Sequence, residues 1–286
     1  MRILITGANG MLGRELAPVL APRHEVRAVS HTECDIADES SIRHAVAEWT
    51  PELVINCAAL SDVDGCERDP ERALAVNGHG AGHLARAAER IGARVFHIST
   101  DYVFGGEKHT PYTEQDTPNP LSQYGRSKLE GERLVLGEGV QPSPHLVIRT
   151  SWLYGRYRTN FVDKAVENAR VGKRISAVTE QVSCPTWTLH LAEKIAALVE
   201  TRASGILHLA GSGACSRYEM ARYLVSKLGC SAEVLATTWA KINPPARRPV
   251  YTAMISTRLA TLGLTPLPDW KEALTAYLSL RYAGPS

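Results

Sequence analysis

The stretch that most narrows what this chain can become is its first. "RILITGANGMLG" carries a short apolar strand straight into Gly7, and Gly10 and Gly13 follow at the mouth of a segment with helical spacing, Met11 to Leu20. A strand that turns on glycine into a helix opens a βαβ unit, and the alternation continues. Apolar runs recur at "EVRAVS", "LVINCAA", "RVFHIST" and "HLVIRTSW", with amphipathic segments between them at Ser40–Trp49, Glu71–Ile91 and Tyr124–Leu136. Such a series builds a parallel sheet. The strands are apolar at nearly every position, as required when helices cover both faces of the sheet.

Beyond about Thr150 the rhythm loosens. A helix is expected over Thr188–Thr201, a strand at "GILHLA", a helix in "RYEMARYLVSKLG" and a last helix after Asp269. Gly105 to Ser122 is rich in Gly, Thr, Pro, Asn and Asp and reads as a long loop, with Asn119–Pro120 suited to cap the helix after it. The predicted fold class is therefore α/β: a Rossmann-type doubly wound parallel sheet with a smaller, interleaved C-terminal substrate-binding region. The dinucleotide-binding part spans 1–150, with elements around 175–210 completing it, and 151–286 is mainly the substrate-binding region.

A chain of 286 residues supports a large core. Its net charge of +2 is too small to imply nucleic acid or an anionic membrane as partner. No apolar stretch is long enough to span a bilayer and no basic leader precedes one, so the cytoplasm is the expected compartment. The 6 cysteines show no CxxC pair or zinc spacing and read as reduced packing residues. His79 and His83 stand four apart without a third ligand nearby, so no metal site is assigned.

Glycines at this turn let the backbone approach a pyrophosphate, whose charge rests at the positive end of the helix. Gly7, Gly10, Met11, Leu12 and Gly13 thus form a candidate dinucleotide cradle. At the end of the second strand an acid would favour NAD by accepting from its 2′-hydroxyl. Here Ser30 and His31 stand at that place, after Arg27, which favours NADPH with NADH still accommodated. Asp35 and Ile36 are read as an adenine contact, or Asp35 as the cap of the next helix. The small residues Cys57, Ala58 and Ala59, after Asn56, would let a cofactor lie against the third strand's end.

The fourth strand ends in "STDYVFGG", placing Thr100 and Asp101 at the sheet's carboxyl edge, where open α/β sheets hold ligands. "QYGRSK" then sets Tyr124 and Lys128 four apart on one helix face. A carbonyl that accepts hydride needs a proton. A tyrosine of ordinary pKa about 10 is a sluggish source near neutrality, and a neighbouring ammonium pulls that value down. A threonine hydroxyl can hold the carbonyl oxygen in line.

These residues resemble the extended short-chain dehydrogenase/reductase superfamily. Within it, "STDYVFGG", "PYTEQDTPNPLSQYGRSKLEGE", "RTSWLYG" and "ARRP" are similar to the dTDP-4-dehydrorhamnose reductases, over nearly the whole chain. The resemblance implies Thr100, Tyr124 and Lys128 as the catalytic set. It implies NADPH-dependent reduction of the C4 keto group of dTDP-4-dehydro-L-rhamnose, a nucleotide-sugar substrate. The related dehydratases carry "TDE", but here Tyr102 follows Asp101, which fits simple reduction. Trp152 matches an aromatic by the sugar, with core packing as the other reading; Arg247 and Arg248 match a diphosphate grip, with solvation as the other. "EQVSCPT" departs from the family's "DQxGxPT", Ser183 replacing glycine, which leaves the sugar open to another 4-keto-6-deoxysugar nucleotide. The resemblance also allows a homodimer, and a magnesium ion at a dimer contact without ligands assignable here. It extends to the non-catalytic regulatory subunits of methionine adenosyltransferase, a third reading.

Overall fold

In the computed structural model, which describes residues 1–137 and 143–282, the apolar runs form a single 6-stranded parallel sheet. Its strands are β1 (Arg2–Thr6), β2 (Glu25–Val29), β3 (Leu53–Asn56), β4 (Arg94–Thr100), β5 (Leu146–Thr150) and β6 (Gly205–His208), in the order β2-β1-β3-β4-β5-β6. Neighbouring residues of one strand enter opposite cores. Ile3 and Ile5 join the layer containing α1 (Met11–Leu20), whereas Leu4 joins the layer containing α2 (Glu39–Trp49) and α3 (Ala81–Glu89). That alternation between two apolar faces is why nearly every strand position is apolar. The chain leaves β1 in one direction for β2 and returns on the other side as β3, so a crevice opens where those two carboxyl ends part.

The sheet is finished from far along the chain. β6 pairs in parallel with β5, Ile206 opposite Val147, and helix Thr188–Val199 lays Leu191, Ile195 and Leu198 against Leu12 and Leu16 of α1. The remaining helices, Phe161–Arg170, Arg217–Leu228 and Trp270–Tyr282, close around a separate core that includes Tyr154, Val166, Met220, Leu224 and Tyr277. In chain order after α3 the long helices are α4 (Gln123–Leu136), α5 (Phe161–Arg170), α6 (Thr188–Val199), α7 (Arg217–Leu228) and α8 (Trp270–Tyr282). A two-stranded parallel ribbon, Ile175–Val178 with Val234–Thr237, was not expected from the sequence.

Three local expectations are corrected. The helix expected over Glu71–Ile91 is a short α-turn, Pro70–Ala73, then a π-helical segment, Leu74–Gly80, then α3. The wider turn lets the buried Asn77 side chain accept from Leu60 N–H at 2.9 Å and donate to Ser127 Oγ at 3.0 Å, tying two neighbouring segments. The cap of α4 is Ser122, whose hydroxyl accepts from Gly125 N–H, and not Asn119. Asp38, not Asp35, caps α2 by accepting from Ser40 N–H. In each of the last two, the side chain nearest the first free amides takes the position.

Candidate functional site

A cavity of about 450 Å³ lies at the crevice. Its walls bring together Gly10, Met11, Leu12, Gly13, Cys57, Ala59, Thr100, Asp101, Tyr124, Lys128 and Trp152, residues singled out from distant parts of the sequence. The glycine turn is built for close approach. Gly7 sits at φ +72 with the third strand's end against it, so that a Cβ there would meet Ala58 N at 2.6 Å. A Cβ on Gly13 would lie 2.4 Å from Gly7 O. No side chain caps α1, whose first amides therefore open toward the cavity with the positive end of the helix. The arrangement fits a pyrophosphate, and a dinucleotide running from it would reach Thr100, Tyr124 and Lys128 along the same wall.

Tyr124 and Lys128 point inward from the first turns of α4, which starts where Ser122 caps it and Glu67 accepts from Gln123 N–H at 2.9 Å. Burial pushes the Tyr124 phenol well above its ordinary pKa, against the pull of the Thr100 hydroxyl beside it. The proton is therefore held on the phenol at neutral pH. Burial also drives Lys128 down, to about 8, with Glu132 raising it. Its Nζ donates to Ile98 O at 2.6 Å and lies 3.3 Å from His97 Nε2.

Donor bookkeeping fixes what His97 presents to that amine. Ala58 N–H and Thr6 Oγ1 both donate to Asn56 Oδ1, at 3.1 and 2.8 Å. Asn56 Nδ2 is thereby turned to His97 Nδ1 at 3.0 Å and donates to it. Burial holds the imidazole well below its usual range, so the ring is neutral and its one proton sits on Nε2, facing Lys128. That N–H opposes the ammonium and adds to burial in lowering the Lys128 pKa to about 8, at which the amine still carries its charge at neutral pH and donates to Ile98 O.

Asp101 lines the cavity but its carboxylate is already engaged. Oδ2 accepts from Ser183 Oγ at 2.8 Å and Thr252 Oγ1 at 2.5 Å, and Oδ1 from Thr100 Oγ1 at 3.1 Å. Burial nonetheless raises its pKa to about 6. Thr100 is held by that bond and by accepting from Tyr102 N–H. Ser183, where the family pattern has glycine, is thus fixed to the residue beside Thr100, and also shares a hydrogen bond with Ser151 Oγ at 2.7 Å.

Other candidates lie off the cavity wall. Arg248 is doubly bonded to Asp64, at 2.7 and 2.8 Å, with its guanidinium over Trp239. Ile36 is buried in the core behind β1. Asp35 accepts from Ala37 N–H, and Arg27 is paired with Glu48. Ser30 revises one expectation: its amide and hydroxyl both donate to Glu33 Oε2, at 2.8 and 2.7 Å, so a carboxylate does stand at the end of β2. The bonds hold that carboxylate below its usual pKa. The sequence reading also missed Ser61, Thr150, Arg158 and Arg217 on the cavity wall. Among the described residues no group of three His, Cys, Asp or Glu side chains converges to hold a metal, and no helix is long and apolar enough to cross a membrane.

The chain and its fold have relatives. dTDP-4-dehydrorhamnose reductase of Mycolicibacterium smegmatis is 43% identical over 96% of this chain and 84% of that protein. dTDP-4-keto-6-deoxy-D-glucose reductase of Streptomyces niveus is 38% identical over 100% of this chain and 99% of that protein. The crystal structure of dTDP-4-dehydrorhamnose reductase from Bacillus anthracis, in complex with NADP, superposes with a TM-score of 0.92 at 33% identity, covering 97% of this chain and 98% of that one. The model of the RmlD substrate binding domain matches residues 1–282. By the extent of these matches, the chain belongs to the dTDP-4-dehydrorhamnose reductase family.

Proposed function

We propose that this oxidoreductase uses NADPH, with NADH also accommodated beside Glu33, to reduce the C4 keto group of dTDP-4-dehydro-L-rhamnose, giving dTDP-L-rhamnose. The observation that carries the reading is the convergence of Thr100, Tyr124 and Lys128 on one cavity with the uncapped start of α1. Residues 1–150 with the returning β6 and α6 would hold the dinucleotide, and the later helices the sugar nucleotide. Gly10 to Gly13 would take the pyrophosphate, and Cys57, Ala58 and Ala59 would let the cofactor lie close to β3. NADPH, when bound, supplies the hydride.

The protein's part is to place the carbonyl and manage the proton. The Thr100 hydroxyl, held beside Asp101, would turn its one proton from that carboxylate to the C4 oxygen and so align it. As that oxygen gains negative charge, Tyr124 donates its phenolic proton, which burial has kept in place. Lys128, four residues on, would offset the phenolate left behind and hold the cofactor's ribose. Ser183 on Asp101 reshapes the wall next to Thr100, a specific reason to include other 4-keto-6-deoxysugar nucleotides among the substrates tried.

The test is oxidation of NADPH with enzymatically generated dTDP-4-dehydro-L-rhamnose and a panel of related keto sugars, beside Tyr124→Phe. Turnover by the wild type and a loss of ~10²-fold or more in the variant, with NADPH binding intact, is the expected result. A fully active Tyr124→Phe removes Tyr124 from its role. Tight NADPH binding with no turnover on any sugar would point instead to a non-catalytic, partner-binding role.

A further inference from the structure

Several buried or half-buried cations here have a carboxylate, Arg149 with Glu132, Arg248 with Asp64 and Lys108 with Asp116, and Arg94 and Arg258 donate to backbone carbonyls. Arg217 has neither. It opens α7 and lines the cavity, and among the described residues no hydrogen bond or ion pair engages its guanidinium. What holds it is aromatic: the guanidinium carbon lies 3.7 Å from the centre of the Trp152 ring and 5.0 Å from that of Phe161. Burial lowers its pKa to about 10, so it stays charged at neutral pH in a place where water serves it poorly. A desolvated cation without a counter-ion is costly unless a ligand supplies one.

A second observation lies on the same wall. Trp152 Nε1 is buried with no acceptor, and the residue holds a left-handed backbone at φ +40, which a bulky residue seldom adopts. Two donors therefore meet the cavity at one corner, both without partners. Stacking occupies the face of the guanidinium and leaves its N–H edge for a planar pair of oxygens, the geometry that suits phosphate. Arg248, the cation the sequence pattern favours for that task, is committed to Asp64 and off the wall.

We propose that Arg217, laid on Trp152, binds the diphosphate of the nucleotide-sugar substrate, with Trp152 Nε1 as an auxiliary donor. This rests on the nucleotide-sugar reading above. A hexose carries its diphosphate across the ring from C4. A carbonyl held at Thr100 and Tyr124 therefore sends the anion to another part of the same wall, where Arg158 is exposed to water and Arg217 is the half-buried charge without a partner among the described residues, within electrostatic reach of Tyr102 and Asp101.

Calorimetric titration of the NADPH-loaded protein tests it, with dTDP, UDP and GDP each set against its monophosphate. Arg217 is judged on whichever diphosphate binds the wild type most tightly. In Arg217→Gln that affinity should fall at least ~10-fold, and the preference for diphosphate over monophosphate should shrink, as expected for loss of a charge-assisted contact. Arg217→Lys, which keeps the charge and loses the fork, should fall between, and it carries the comparison if the glutamine variant does not fold. NADPH affinity should hold in both. An unchanged preference, a loss of NADPH affinity in its place, or a wild type that binds none of the diphosphates overturns the assignment. Tightest binding of UDP or GDP would refute the dTDP part of the proposed function while Arg217 is still decided by the ratio.

Discussion

Arg149 and Glu132 meet inside the core, Nη2 to Oε2 at 2.6 Å and Nε to Oε1 at 2.9 Å, with both side chains hidden from water. Arg149 comes from β5 and Glu132 from α4, so the pair clamps to the sheet the same helix that carries Tyr124 and Lys128. Ser99 Oγ adds a third bond to the carboxylate. Breaking such a pair leaves a buried charge uncompensated, which costs about 3–5 kcal/mol. Glu132→Gln should show a loss of that order in urea unfolding. Replacing both partners, Glu132→Gln with Arg149→Met, should recover part of it. A single variant within ~1 kcal/mol of wild type would mean the clamp contributes little.

Asp101 should make stability fall as pH rises through the acidic range. Its folded pKa of about 6 lies above the usual carboxylate value of ~3.9, so the folded state holds the proton more firmly than the unfolded chain. The stabilisation is complete below about pH 4 and lost as pH climbs through 6. Asp101→Asn carries no charge to lose. The difference in unfolding free energy between variant and wild type, read from urea titrations, should therefore grow in favour of the variant from about pH 4 to 7 and then level off, with a ceiling near ~3 kcal/mol. Parallel curves would show that this carboxyl titrates normally.

The His97 ring offers its N–H to Lys128, which disfavours the ammonium. His97→Phe keeps a ring in place and removes that donor, so the Lys128 pKa should rise from about 8. In the pH profile of kcat, the limb that reports Lys128 should move to higher pH, while thermal stability controls for damage to the core. A limb that stays where it was would leave His97 as packing only.

Glu33 bears on the choice of dinucleotide. A carboxylate held on Ser30 at the end of β2 repels a 2′-phosphate and suits a 2′-hydroxyl. Glu33→Gln should raise the NADPH-to-NADH ratio of kcat/KM, by up to ~10-fold, because a like charge is removed from beside the 2′ position. No change in the ratio would show that the 2′ position lies beyond its reach.

The parts of the molecule that could be read from the sequence are those whose signal is local. Gly7, Gly10 and Gly13 sit within one turn, and Tyr124 and Lys128 are neighbours on one helix face, so spacing alone exposes them. Arg217 and Trp152 touch only because the first residue of α7 comes to lie against the turn after β5, and no window of sequence contains both. The clamp between Arg149 and Glu132 is hidden for the same reason. Leu74–Gly80 failed differently: a π-turn adds a residue without breaking the run of helix-compatible residues, so the periodicity passed over it. Glu33 was within range, three residues from Ser30, yet an acid displaced from its expected position still reaches it through its side chain.

The return of β6 to the main sheet sets an order on synthesis. When β5 leaves the ribosome its outer edge has no neighbour, and the face of α1 that meets α6 has no cover. At ~5–20 residues per second, roughly 3 to 12 seconds pass before Gly205–His208 arrives. Throughout that interval the nascent half presents an open strand and an uncovered apolar layer, the features that invite mispairing. A gene cut after the fifth strand should therefore yield an aggregating fragment and not a free cofactor-binding module, because the last strand of that sheet is written into the far half of the chain.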